Sequence, residues 1–214
     1  MQKKTFGWTL RIMTVLALAV GTGAVAQYWG SDRLPVSFSG QINAYTPTTT
    51  KAPTGPYEIR GPWSMQLKRD GTLADFSTEL NMVLSDGWVL TNGTTPPNFD
   101  PTTRNAHTHH ITMKDGVVTD NWASSCPSFS PAVVGGFVVS GTATITGNGG
   151  PAPFGNPSPL TICVLGGNDV TYSNVTLTFG LPASGHFGKQ AVHGVVLTCT
   201  GLWGHELNEC TLQE

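Results

Sequence analysis

Apolar and polar residues alternate along most of this chain, and a two-residue period leaves few folds open to it. PVSFSGQINAY puts Val36, Phe38, Gly40, Ile42 and Ala44 on one side of an extended strand, with Ser37, Ser39, Gln41 and Asn43 on the other. EIRGPWSMQLK alternates Trp63, Met65 and Leu67 with Ser64, Gln66 and Lys68. ADFSTELNMVLSD does the same with Phe76, Thr78, Leu80, Met82 and Leu84 against Ser77, Glu79 and Asn81. Between these two runs Asp70-Gly71 supplies a turn, which predicts a hairpin. HTHHITM is the next strand and is expected to turn at Lys114-Asp115-Gly116 into VVT. GFVVSGTATITG reads as a long strand rich in β-branched residues. LTICVL and VTYSNVTLTF form a second hairpin around GGND, and AVHGVVLTC closes the sheet.

The pattern predicts an all-β domain of roughly nine to ten short strands: a single antiparallel β-barrel or a strongly coiled β-sandwich. Alternation marks which residues share a face but not how the sheet closes, so both architectures stay open. TPTTTKAPTGP, TNGTTPPNFDPTTRN and NGGPAPFGNPSP are rich in Pro, Gly and Thr and read as connections. Loops 91–106, 121–132 and 147–159 are expected to shape a mouth.

The chain opens on MQKKTFGWTLRIMTVLALAVGTGAVAQ, with Lys3, Lys4 and Arg11 ahead of a short apolar run and Ala24-Val25-Ala26 at its end. This predicts a signal peptide over 1–26, cleaved after Ala26, and a secreted or periplasmic protein with no membrane span afterwards. Residues 27–56 then carry an N-terminal strand and its Pro/Thr-rich connection. Residues 57–196 form the main part of the same β domain, and 197–214 a C-terminal tail. From residue 27 on, 8 Lys and Arg face 13 Asp and Glu, a net charge of −5. That balance lacks the basic footprint that nucleic acid requires of a partner.

Four cysteines, Cys126, Cys163, Cys199 and Cys210, suit two disulfides in an oxidising compartment. Three pairings exist; Cys126–Cys163 with Cys199–Cys210 as a clip on the tail is the favoured one.

RNAHTHHITM carries the most chemistry. On a strand His107 and His109 point the same way and His110 the opposite way. A His-x-His pair offers two imidazole ligands to a divalent transition metal, and a third must come from elsewhere. Candidates are His186, His193, His205, Asp100, Asp115 and Asp120. His186 is flanked by Gly185 and Gly188, which let the backbone bring the ring close to something. The bland alternative is a set of histidines that hydrogen-bond to loops at a strand end. Residues Ile111, Thr112, Met113 and Lys114 follow the pair, so the carboxylate that often accompanies His-x-His in barrel metalloenzymes is missing here.

Other chemistry finds little support. There is no G-x-S-x-G elbow for a nucleophilic serine. Asp75 and Glu79 share a strand face but stand about 13 Å apart, too far for the paired carboxylates of glycoside cleavage. Trp63 belongs to a core face; Trp88 and Trp122 lie near loop ends, where with His110 they could contact a partly apolar small molecule or a glycan.

GQINAYTP, EIRGPWSMQLK, ADFSTELNMVLSD, RNAHTHHITM, TATITGNGGPAPFG and GHFGKQAVHGVV resemble segments of a group of uncharacterised secreted bacterial all-β proteins. The resemblance implies an exported β domain up to about Val196 and brings no activity or catalytic residue with it. Three functions are therefore expected in order: non-catalytic binding of a small partly apolar molecule or glycan; a metal-dependent enzyme of the lyase, isomerase or oxygenase kind using His107 and His109; and a structural module of the cell envelope.

Overall fold

A computed structural model describes residues 37–46, 57–84, 106–127, 135–148, 150–152, 155–166 and 172–201. The strands are β1 (Ser37–Tyr45), β2 (Tyr57–Leu67), β3 (Leu73–Leu84), β4 (His107–Thr119), β5 (Gly135–Gly147), β6 (Gly150–Pro151), β7 (Ser158–Gly166), β8 (Tyr172–Phe179) and β9 (Val192–Thr200). Two single helical turns complete them, α1 (Trp122–Ser125) and α2 (Ser184–Phe187). The expected signal peptide, Trp88, Asp100, His205 and Cys210 lie outside the described residues.

The strands run in the order β4-β3-β2-β1-β9-β8-β7-β5-β6, all antiparallel, and β4 also pairs with β5. That last pairing closes eight strands into an antiparallel barrel; β6 is a two-residue hairpin arm on β5. Closure removes both sheet edges and resolves the choice between barrel and sandwich. β9 runs to Thr200, one residue beyond the AVHGVVLTC run expected to close the sheet, so the strand enters the 197–214 segment read as a tail.

Burial follows the alternation. In β2 Tyr57, Ile59, Gly61, Trp63, Met65 and Leu67 face inward, and in β3 Ala74, Phe76, Thr78, Leu80 and Met82 do. Ile59, Leu80, Ile111, Val139, Ile145, Ile162 and Leu177 are each 0% exposed, so no water-sized void adjoins them and this part of the barrel is packed rather than hollow. Outward positions carry mostly Ser, Gln, Asn, Thr and charged residues, with Tyr45, Val117, Val195 and Leu197 as exposed apolar exceptions. This polarity is the reverse of a lipid-facing barrel. Among the described residues no helix is long and apolar enough to cross a membrane.

Lys114-Asp115-Gly116 is not the turn that the sequence predicts. β4 runs straight through it, and its two halves pair with the same two neighbours. Asp115 adopts φ 52, inserting one extra residue as a bulge and switching the inward parity from Met113 to Gly116 and Val118. Asp75 on β3 holds the bulge: its carboxylate accepts the Asp115 N–H at 3.0 Å and the ammonium groups of Lys68 and Lys114, each at 2.9 Å.

A second irregularity lies where β1 meets β9, between Ser39 and Gly40. The Trp63 indole N–H crosses Gly40 and donates to the Val195 carbonyl at 3.0 Å. Any Cβ at Gly40 would stand 1.9 Å from that carbonyl oxygen, so only glycine fits.

Cys126 and Cys163 form the expected disulfide. It fastens α1 to the outer wall, where Trp122 packs over Val138, Cys163 and Leu165. Cys199 is also disulfide-bonded.

A three-histidine cluster at one end of the barrel

The start of β4, the end of β5 and the β8–β9 connection meet at one end of the barrel. His107 and His109 both point inward there, as strand parity requires, with Met82 and Leu80 as their β3 partners. The third member comes from α2. One helical turn has no stability of its own. It is held because Ala183 and Phe187 are buried: Phe187 stacks on Phe179 with ring centroids 4.3 Å apart and meets His109 edge-on at 5.0 Å. Gly188, at φ 90, ends the turn. His186, one residue before Phe187, is thereby aimed at the pair.

The Nε2 atom of His186 lies 2.8 Å from Nε2 of His109 and 3.1 Å from Nε2 of His107. One ligand atom from each of the three rings lies within 4.8 Å of the others, so this trio could hold a metal ion. A single ring nitrogen carries either one proton or one lone pair, so His186 Nε2 can form a linear hydrogen bond with only one of its two neighbours. A shared cation satisfies all three. Nitrogens bound tetrahedrally at 2.0–2.1 Å stand about 3.3–3.4 Å apart, close to the 2.8 and 3.1 Å that separate His186 Nε2 from its two neighbours.

The ring of His109 is prepared for this role. Its Nδ1 lies 3.1 Å from the Thr146 carbonyl on β5 and donates to it, which leaves Nε2 as the lone-pair nitrogen. Its residue is 1% exposed. Burial pushes its pKa down to about 4; the Thr146 carbonyl opposes that shift and neighbouring His107 adds to it. The ring is therefore neutral at neutral pH, the form that binds metals. Tyr57 walls the cluster, its ring edge-on to His107 at 5.3 Å.

The other sequence candidates among the described residues lie elsewhere. His110 is exposed on the outer face of β4 between Glu79 and Thr146. His193 is exposed on β9 beside Thr176. Asp115 serves the bulge, and Asp120 follows β4 at the opposite end. Trp122 also lies at that opposite end, away from the three histidines; most of loop 91–106 and residues 128–132 lie outside the described residues. The supporting groups, the Thr146 carbonyl, Phe187 and Tyr57, carry no pattern that a sequence could display, because each matters only through tertiary contact.

The outer wall has a groove of about 410 Å³ lined by Ser39, Ser64, Ser77, Thr112, Lys114 and Thr198, among others. Thr198, Ser39, Ser64, Ser77 and Thr112 are register partners across five adjacent strands, so their hydroxyls form one transverse row.

No protein-family model, curated protein or solved structure matches this chain.

Proposed function

We propose that this protein is an exported metal-dependent enzyme acting on a small molecule, with one divalent transition metal held by His107, His109 and His186. The observation that carries the reading is the convergence of three Nε2 atoms, one of them left with its lone pair because the Thr146 carbonyl holds the ring proton on Nδ1. Three nitrogen ligands with further coordination positions are the pattern of catalytic sites, whereas structural zinc is closed by four protein ligands. Such an ion, when bound, acts as a Lewis acid and lowers the pKa of a bound water. Buried aromatic rings around the histidines favour a partly apolar substrate. Export is supported by the predicted leader and by a disulfide, which suits an oxidising compartment.

The test is native mass spectrometry of untagged protein from the exported fraction. The reading expects one transition-metal ion per chain, lost when His107 and His109 are changed to Ala. A folded, metal-free wild-type chain that takes up no added ion refutes it.

A second reading, binding of a glycan without catalysis, draws on the transverse hydroxyl row, since hydroxyls both donate and accept as sugars require. Calorimetric titration with neutral oligosaccharides tests it: heat abolished by Ser64→Trp supports the groove, and no heat with any of them removes it.

A further inference from the structure

We infer that Asn148 is a positioning residue for the metal ligands, acting through Thr108, the spacer between His107 and His109; this rests on the metal-site reading above.

β5 ends its pairing with β4 at Gly147, which lies opposite His109. At that point the chain doubles back, so that Gly147 pairs with Gly150 of β6. A strand that turns away takes its next carbonyl and N–H with it, and the first residues of β4 would lose their ladder partners. Asn148 prevents this. Its φ of 47 starts the turn, a conformation that Asn, Asp and Gly tolerate best. From there its side-chain Oδ1 accepts the Thr108 N–H at 2.8 Å, and its own N–H donates to the Thr108 carbonyl, also at 2.8 Å. The carboxamide thus replaces the missing strand carbonyl and carries the β4–β5 ladder one residue further.

Both backbone groups of Thr108 are fixed by one residue, and each neighbour of Thr108 carries a ligand nitrogen. Thr108 Oγ1 adds a bond to Asn81 Oδ1 at 2.9 Å on the other side. Two residues before Asn148, the Thr146 carbonyl fixes the His109 ring. The segment from Thr146 to Asn148 therefore sets both the tautomer of one ligand and the backbone that carries two.

Two substitutions separate the roles of Asn148. Asn148→Gly keeps the positive φ and removes Oδ1. Asn148→Asp keeps both the φ tolerance and the acceptor. The experiment titrates cobalt(II) into the purified full chain and follows its visible absorption, with zinc competition to obtain affinities. The expected result is that Asn148→Gly weakens binding at least about tenfold, the usual loss when an outer-sphere partner is removed, and changes the cobalt spectrum. Asn148→Asp is expected to restore both. If Asn148→Gly does not fold by circular dichroism, Asn148→Ser, whose hydroxyl is too short to reach the Thr108 N–H, takes its place with the same expectation. Wild-type spectrum and affinity in the folded acceptor-less variant overturn the inference while leaving the metal site standing. Failure of the wild-type chain to bind cobalt or zinc overturns the metal site and the inference together.

Discussion

His186 Nε2 lies 2.8 Å from His109 Nε2, although 77 residues separate the two in sequence. One sits on a barrel strand and the other on a single helical turn between the last two strands. The barrel brings them together by burying Phe187, so the third histidine is placed by core packing rather than by local sequence. If the trio holds the proposed metal, a ligand set assembled in this way couples metal binding to folding.

That coupling predicts a thermal shift. Zinc at a hundred times its dissociation constant stabilises a fold by about 2.7 kcal/mol. For a domain of this size the melting temperature should rise by about 5–10 °C. His186→Ala should abolish the rise while leaving the metal-free melting temperature within a few degrees of wild type, because the ring is only half-buried. Differential scanning calorimetry with and without zinc checks this, and an undiminished shift in His186→Ala would remove that residue from the site.

Phe187 should matter to the metal without touching it. Phe187→Ala removes the anchor of α2 and costs about 3–5 kcal/mol of stability as a core deletion. Phe187→Leu retains most of the buried volume and should fold, yet hold His186 less firmly and weaken zinc binding. Equal zinc affinity in Phe187→Leu and wild type, measured by chelator competition, would show that α2 needs no aromatic anchor.

Asp75 predicts a pH dependence. The Asp115 N–H at the bulge, followed by the ammonium groups of Lys114 and Lys68, holds its carboxyl well below the ordinary value of 3.8. A depressed folded-state pKa means that the stabilisation is complete above the unfolded value and is lost as pH falls below about 3.8. Asp75→Asn should be less stable than wild type at pH 7, and the gap should narrow below that value. Urea unfolding at pH 7 and pH 3 measures it; a gap that does not change with pH would contradict the assignment.

The barrel's faces were legible in the sequence because period-two alternation commits each side chain, as Trp63, Met65 and Phe76 show. Closure was not, since β4–β5 pairing leaves no mark beyond that of any neighbouring pair. Asp115-Gly116 reads as a turn and builds a bulge from the same left-handed backbone; Asp75 on another strand decides between the two. His107 and His109 were placed on one face by parity alone. The glycines around His186 marked it out from the strand residue His193, but only as a ring free to approach something; that it meets the pair depends on Phe187 packing on Phe179, which no local pattern records. The Cys126–Cys163 disulfide belongs to the pairing the sequence favoured, and the structure forms it.

The disulfide predicts a local effect as well as a global one. It closes a separation of 37 residues, for which the chain-entropy model gives about 3–4 kcal/mol. Replacing Cys126 and Cys163 together by Ser should lower stability by an amount of that order and release α1 from the wall. Trp122, packed over Val138 and Leu165, should then shift its fluorescence to the red. Unchanged tryptophan emission in the folded double variant would show that α1 stays in place without the bond.

The most direct measurement is an anomalous difference map from crystals of the zinc-treated chain, recorded on both sides of the zinc absorption edge. The expected result is one peak that disappears below the edge, lying about 2.0–2.1 Å from Nε2 of each of His107, His109 and His186. A map without a peak among the three rings, or with the ion bound elsewhere on the chain, would contradict the metal site on which the proposed function rests.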